Sequence, residues 1–116
     1  GSGIGCAVAE RFAREGAAVT IADIDETAGN DVANAINASG GKAFFHRTDT
    51  ADPNSVRNCV AATVAHFGTV NILVNNAAAF VFGKVEDITP AHWQQVFAVN
   101  VIGYANMVLK CLTSIA

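Results

Sequence analysis

The chain has 116 residues, a net charge of −3, 52% apolar residues and 15% charged residues. Against usual shares of about 45–50% apolar and about 25% charged, this favours an α/β design whose central parallel strands are covered on both faces, and the lack of any basic run excludes a nucleic-acid partner. The three widely spaced cysteines, Cys6, Cys59 and Cys111, form neither a zinc pattern nor a disulfide framework, and no uninterrupted apolar stretch reaches about 18 residues, so neither a metal nor a membrane is an expected partner.

The chain opens on "GSGIG", three glycines at alternate positions. From Gly3 to about Glu15, Ile4, Val8 and Phe12 recur every four residues, which predicts an amphipathic helix closed by Gly16. "AAVTIAD", residues 17–23, is short, apolar and β-branched, a buried strand. Residues 25 to about 39 form the next helix, ended by Gly40 and Gly41. "KAFFHR", Lys42–Arg47, is a second strand. The helix that follows has Asp52 as N-cap and Pro53 at its first position. Its buried stripe is Val56, Val60, Val64 and Phe67, and Gly68 closes it. "VNILVNN", residues 70–76, is predicted as a third strand, followed by a loop over residues 77–88. Thr89 and Pro90 start a last helix running through Trp93, Val96, Phe97 and Asn100, with an irregularity at Gly103, to about Thr113. Strands separated by helices of this length imply parallel βαβ units in a single domain.

Glycine turns serve purely steric ends as well as ligands. At a helix start, however, glycines admit a close approach to phosphate, and the free N–H groups and helix dipole favour an anion. Gly1, Ser2, Gly3, Ile4 and Gly5 are therefore candidate pyrophosphate-binding residues, Ser2 with a hydroxyl to donate. Asp23 ends the first visible strand eighteen residues after Gly5, near the ~20 expected of an acid that accepts from a ribose diol. Asp25 suits the cap of the next helix better. A 2′-phosphate about 4 Å from Asp23 would be repelled by ~1 kcal/mol in water and ~4 kcal/mol at an effective dielectric of 20, so NAD is expected over NADP. Asn75 and Asn76 follow the third predicted strand at the carboxyl end, where ligands of open α/β sheets bind. Asn100 is a polar residue in an apolar helical run, costly there unless paired. The histidines His46, His66 and His92 have no metal-ligand spacing. Phe80, Val81 and Phe82 either edge a substrate pocket or form an apolar loop patch.

"GSGIG", "IADID", "RTDTADPNSV", "ILVNNAA" and "FAVNVIG" occur in this order and spacing, and together they resemble the short-chain dehydrogenase/reductase family. Gly3 and Gly5 match the last two glycines of that family's T-G-x-x-x-G-x-G motif. The threonine, the first glycine and the strand before them are absent, and Gly1 and Ser2 fall in the variable part. The resemblance implies that Asp49 accepts from the adenine amino group, with Thr50 lining the same pocket through its backbone and Ile24 against the adenine face. Asp52 takes the cap, which leaves Asp49 for the ligand. Asn75, Asn76 and Ala77 stand in the family's N-N-A-G motif, where Asn76 would position the ribose; Ala78 replaces the usual glycine, a strain of about 1 kcal/mol if that position needs φ > 0. Asn100 would be one of four catalytic residues, holding a water that links the catalytic lysine to solvent. The family's Y-x-x-x-K is absent, since Tyr104 is followed four positions later by Val108, and Ser114 is not the catalytic serine.

The expected fold is thus α/β, a three-layer Rossmann-like parallel sheet with helices on both faces, incomplete because the first strand and the C-terminal strands are absent. Residues 1–116 are expected to be the N-terminal cofactor-binding part of a cytoplasmic, homo-oligomeric NAD-dependent oxidoreductase acting on a small alcohol or carbonyl substrate. Two other readings are a non-catalytic nucleotide-binding or regulatory domain and a structural domain without ligand. The piece alone is expected to be inactive and poorly stable. In the family's sheet the missing strand lies between the one ending at Asp23 and the one ending near Asn75, so its absence exposes two edges.

Overall fold

The computed structural model describes residues 3–75 and 89–112. The elements are α1 (Gly3–Arg14), β1 (Ala18–Asp23), α2 (Glu26–Ala38), β2 (Lys42–Arg47), α3 (Pro53–Phe67), α4 (Pro90–Phe97), a π-helical segment (Ala98–Gly103) and α5 (Tyr104–Leu112). The helix ends form where the side chains predict them. Asp25 caps α2 by accepting from the Ala28 N–H at 3.0 Å, and Asp52 caps α3 through the Asn54 N–H at 2.9 Å. Gly68 closes α3 at φ 90°, a left-handed conformation that costs glycine nothing. The Thr89 hydroxyl accepts from the His92 N–H while His92 Nδ1 accepts from the Thr89 N–H, a reciprocal cap on α4.

β1 and β2 pair in parallel, Ala18 opposite Lys42 and Asp23 opposite Arg47. The two-residue period of a strand then sorts the side chains. Val19, Ile21, Ala43 and Phe45 meet α1 and α2 in one core with Ala9, Val32, Ala33 and Ile36. On the other face Thr20 and Thr63 of α3 pair their hydroxyls at 2.9 Å, and the Phe44 ring stacks on His66 of α3 at 4.1 Å. Helices therefore cover both faces, as the alternating pattern predicts. A second core joins α3 to α5 through Val56, Val60, Met107 and Cys111, with Val70 and Leu73 against it.

The predicted third strand does not form over the residues described. Residues 70–75 carry no ladder, and β1 pairs only with β2. A strand is defined by its neighbour, and among the described residues none lies along the second edge of β1. Ile72 and Val74 are exposed as a result, where a strand buried on both faces would hide them. The loop predicted over residues 77–88, with Ala78 and Phe80 to Phe82, lies outside the described residues, as do Thr113 and Ser114. The irregularity predicted at Gly103 is real: the π-helical segment ends there. The run Pro90–Leu112 has 23 residues and holds an 18-residue window of mean hydropathy 1.3, long and apolar enough by composition alone to cross a membrane. Its Met107 and Cys111 pack on α3, which gives the helix a place within an α/β layer.

Candidate functional site

Three elements converge on one end of the sheet. Ala13, late in α1, lies against Gly41 just before β2, so α1 runs back along β1 from the carboxyl end to the amino end. Twelve helical residues span about 18 Å and six strand residues about 20 Å, which brings the start of α1 level with Asp23. Gly3, at φ 60°, begins that helix in a conformation other residues adopt at a cost. Ile4 is 76% exposed beside it and Gly5 is half-buried. The first-turn N–H groups of a helix have no intrahelical partner and favour an anion. Gly1 and Ser2 lie outside the described residues.

Beside this start, Asp23 closes β1, half-buried. Its Oδ1 accepts from the Asp25 N–H at 2.9 Å, which turns the chain from strand into α2 and leaves Ile24 exposed between them. The Thr48 N–H donates to the Asp23 carbonyl at 2.9 Å, carrying the β1–β2 pairing one step past β2. Thr48 is the one buried polar residue among those described, at 2% exposure, and its hydroxyl donates to the His46 carbonyl at 2.9 Å. The Thr48 N–H bond to Asp23 holds the loop that carries Asp49 and Thr50 against the end of β1, and the hydroxyl bond ties the same residue to β2.

That loop corrects one expectation. Asp49 is not wholly free for a ligand: its Oδ1 accepts from the Ala51 N–H at 3.0 Å, its carbonyl accepts from the Asp52 N–H at 3.0 Å, and its own N–H donates to Ser55 Oγ at 2.9 Å. A short acid two residues before a turn amide bonds back to it. Asp52 does take the cap, but Asp49 also fixes the turn.

Asn75 is half-buried and ends the first described stretch, while Asn76 and Ala77 lie outside it. Asn100 falls within the π-helical segment, half-buried; such segments interrupt α-helices, frequently at functional positions. The helix carrying Asn100 also touches the Asp49–Thr50 loop, through Asn106, which is no sequence-predicted site residue, and through Gly103, expected only as a helix irregularity. Asn106 Nδ2 donates to the Thr50 carbonyl at 3.1 Å, and Gly103 lies flat against the Thr50 side chain. A glycine and an amide on the buried stripe of an apolar helix were the available signals.

The structure thus gathers Gly3, Gly5, Asp23, Ile24, Asp49 and Thr50 at the carboxyl ends of two adjacent parallel strands, with Asn100 on the helix that packs on their loop. A groove of about 410 Å³ lies elsewhere, lined by Glu10, Arg14, Ser39, Gly40 and their neighbours. It opens between helix ends at the amino side of the sheet, away from the end where open α/β sheets take ligands.

The short chain dehydrogenase family model matches residues 1–116. The chain belongs to the short-chain dehydrogenase/reductase family. It is 42% identical over 103 residues to an uncharacterized oxidoreductase of Thermotoga maritima, covering 89% of this chain and 40% of that protein. It is 42% identical over 101 residues to a sorbitol dehydrogenase of Cereibacter sphaeroides, covering 87% of this chain and 38% of the other. A short chain dehydrogenase of Burkholderia cenocepacia, solved in complex with NADP, superposes with a TM-score of 0.91 at 34% identity, covering 98% of this chain and 47% of that one. The chain spans about 40% of the length of these curated relatives. The incomplete Rossmann-like fold is the family's, and the short-chain dehydrogenase/reductase family binds NAD(P).

Proposed function

We propose that residues 1–116 form the cofactor-binding part of a Rossmann domain in an NAD-dependent dehydrogenase, which moves a hydride between NAD and a small alcohol or carbonyl substrate. One observation carries this reading: Thr48 ties the ends of β1 and β2 together, so that Asp23 and the Asp49–Thr50 turn stand side by side at the ligand-binding end of the sheet. The residues fit a dinucleotide. Asp23 is a half-buried carboxylate with Oδ1 on the backbone, suited to accept from a ribose diol. The Asp49–Thr50 turn offers a fixed acceptor and backbone groups for adenine, beside the exposed Ile24. The start of α1, with Gly3 at positive φ, offers N–H groups to the pyrophosphate, with Gly1, Ser2, Ile4 and Gly5 around it.

When bound, the nicotinamide supplies or accepts the hydride. The chain's own part is to orient it: Asp23, Asp49 and Thr50 hold the adenosine half, Asn75, Asn76 and Ala77 continue the site toward the second ribose, and Asn100 holds a water for the proton path. Asp23 also selects NAD over NADP, because a 2′-phosphate would meet its charge. A cytoplasmic homo-oligomer acting without nucleic acid or membrane completes the reading, in keeping with three unpaired cysteines.

Calorimetric titration of the protein from the complete reading frame tests it. NAD should bind more tightly than NADP, and the downstream sequence should hold a serine and a Y-x-x-x-K. Absence of binding by either dinucleotide would overturn the proposal.

A further inference from the structure

The adenine-side loop is held from two directions, and only one is local. Along the chain, Asp49 bonds to Ala51, Asp52 and Ser55. Across the fold, the Asn106 amide reaches fifty-six residues back to the Thr50 carbonyl at 3.1 Å. Gly103, one turn earlier, is buried, and a Cβ there would stand 2.8 Å from Thr50 Oγ1 and 3.1 Å from Thr50 Cβ. Further along the same stripe, Met107 and Cys111 pack into Val56 and Val60 of α3, so α5 lies on α3 and on the turn that leads into it. The π-helical segment ends at Gly103, so Asn100 and the contact with Thr50 lie less than one helical turn apart.

We infer that Asn106 and Gly103 are positioning residues for the adenosine half of the cofactor, acting through Thr50: Asn106 fixes the Thr50 carbonyl, and Gly103 lets the helix close on its side chain. This rests on the dehydrogenase reading above. It places control of the adenine turn on the helix that carries Asn100, so the two ends of the cofactor site share one continuous helical run. Loss of a neutral hydrogen bond of this kind shifts an equilibrium roughly threefold to tenfold.

The test uses the protein from the complete reading frame. Asn106→Leu keeps the volume and removes the donor; Gly103→Ala puts a methyl against Thr50. Each folded variant is titrated with NAD, with ADP-ribose as the adenosine-side probe and with nicotinamide mononucleotide as the other half. ADP-ribose and NAD should weaken together, roughly threefold to tenfold, with nicotinamide mononucleotide unchanged. A purely structural role would lower the unfolding midpoint and leave the ADP-ribose affinity alone, and that result overturns the inference. Where Asn106→Leu does not fold, Gly103→Ala carries the same comparison. A wild-type protein that binds neither NAD nor ADP-ribose overturns the dehydrogenase reading with it, whereas normal wild-type binding with unaffected variants overturns the inference alone.

Discussion

Replacing Asp23 with asparagine should move cofactor preference from NAD toward NADP. The choice of residue follows from the structure: Asp23 Oδ1 accepts from the Asp25 N–H at 2.9 Å, and an asparagine oxygen can keep that bond while the charge goes. A unit charge pair 4 Å apart is worth about 1 kcal/mol in water and about 4 kcal/mol at an effective dielectric of 20. Asp23 is half-buried, which places it between these limits. The other part of Asp23 meets solvent, as does the exposed Arg47, its register partner on β2, and solvent and salt screen the repulsion toward the aqueous limit. The low end of the range therefore governs, about 1.4–2 kcal/mol, or a tenfold to thirtyfold change in the ratio of NADP to NAD affinity. NAD itself should weaken about fivefold, since turning a charge-assisted bond into a neutral one loses about 1 kcal/mol. Isothermal titration of both dinucleotides against wild type and Asp23→Asn measures the ratio. A ratio unchanged within about twofold would refute the assignment of Asp23 as the selecting group.

Two further outcomes concern the scaffold. Gly29 sits buried in α2 with the Phe45 ring directly over it; Gly29→Ala should gain about 1 kcal/mol in helix propensity but lose about 1–3 kcal/mol to overpacking, so the unfolding midpoint should fall, and adding Phe45→Leu should restore it. A Gly29→Ala midpoint above wild type would show that the ring moves away freely. Burial pushes the Cys59 and Cys111 thiols up, against hydrogen bonds from Thr48 and Thr63 at Cys59 and with Cys59 itself adding to the effect at Cys111. Both thiols favour the folded state fully below the ordinary thiol value of about 8.5. Above it the unfolded chain ionises first, so stability falls as pH rises until the folded values are passed. Urea midpoints from pH 7 to 10 should decline more steeply for wild type than for a Cys59→Ala, Cys111→Ala variant; parallel curves would contradict this.

What the sequence determined by itself was local. Asp25, Asp52 and Thr89 announce helix starts because a short polar side chain satisfies amides two or three residues on, and Gly16, Gly40 and Gly68 announce stops because they reach positive φ without cost. β1 is legible because it is short, apolar and β-branched, and the alternation of strand with helix implies a parallel sheet with helices on both faces. The candidate site was legible to the same degree: Asp23 through its spacing from the glycine turn, Asp49, Thr50 and Asn100 through a resemblance to the family. The tertiary structure decided what depends on a distant neighbour. Residues 70–75 have strand composition but no ladder, since a strand needs hydrogen bonds from another segment. Asp49 has one oxygen committed to its own turn, and Thr50 is held by Asn106 and Gly103 from the far end of the chain. No local pattern encodes such contacts, because they exist only once α5 has packed on α3.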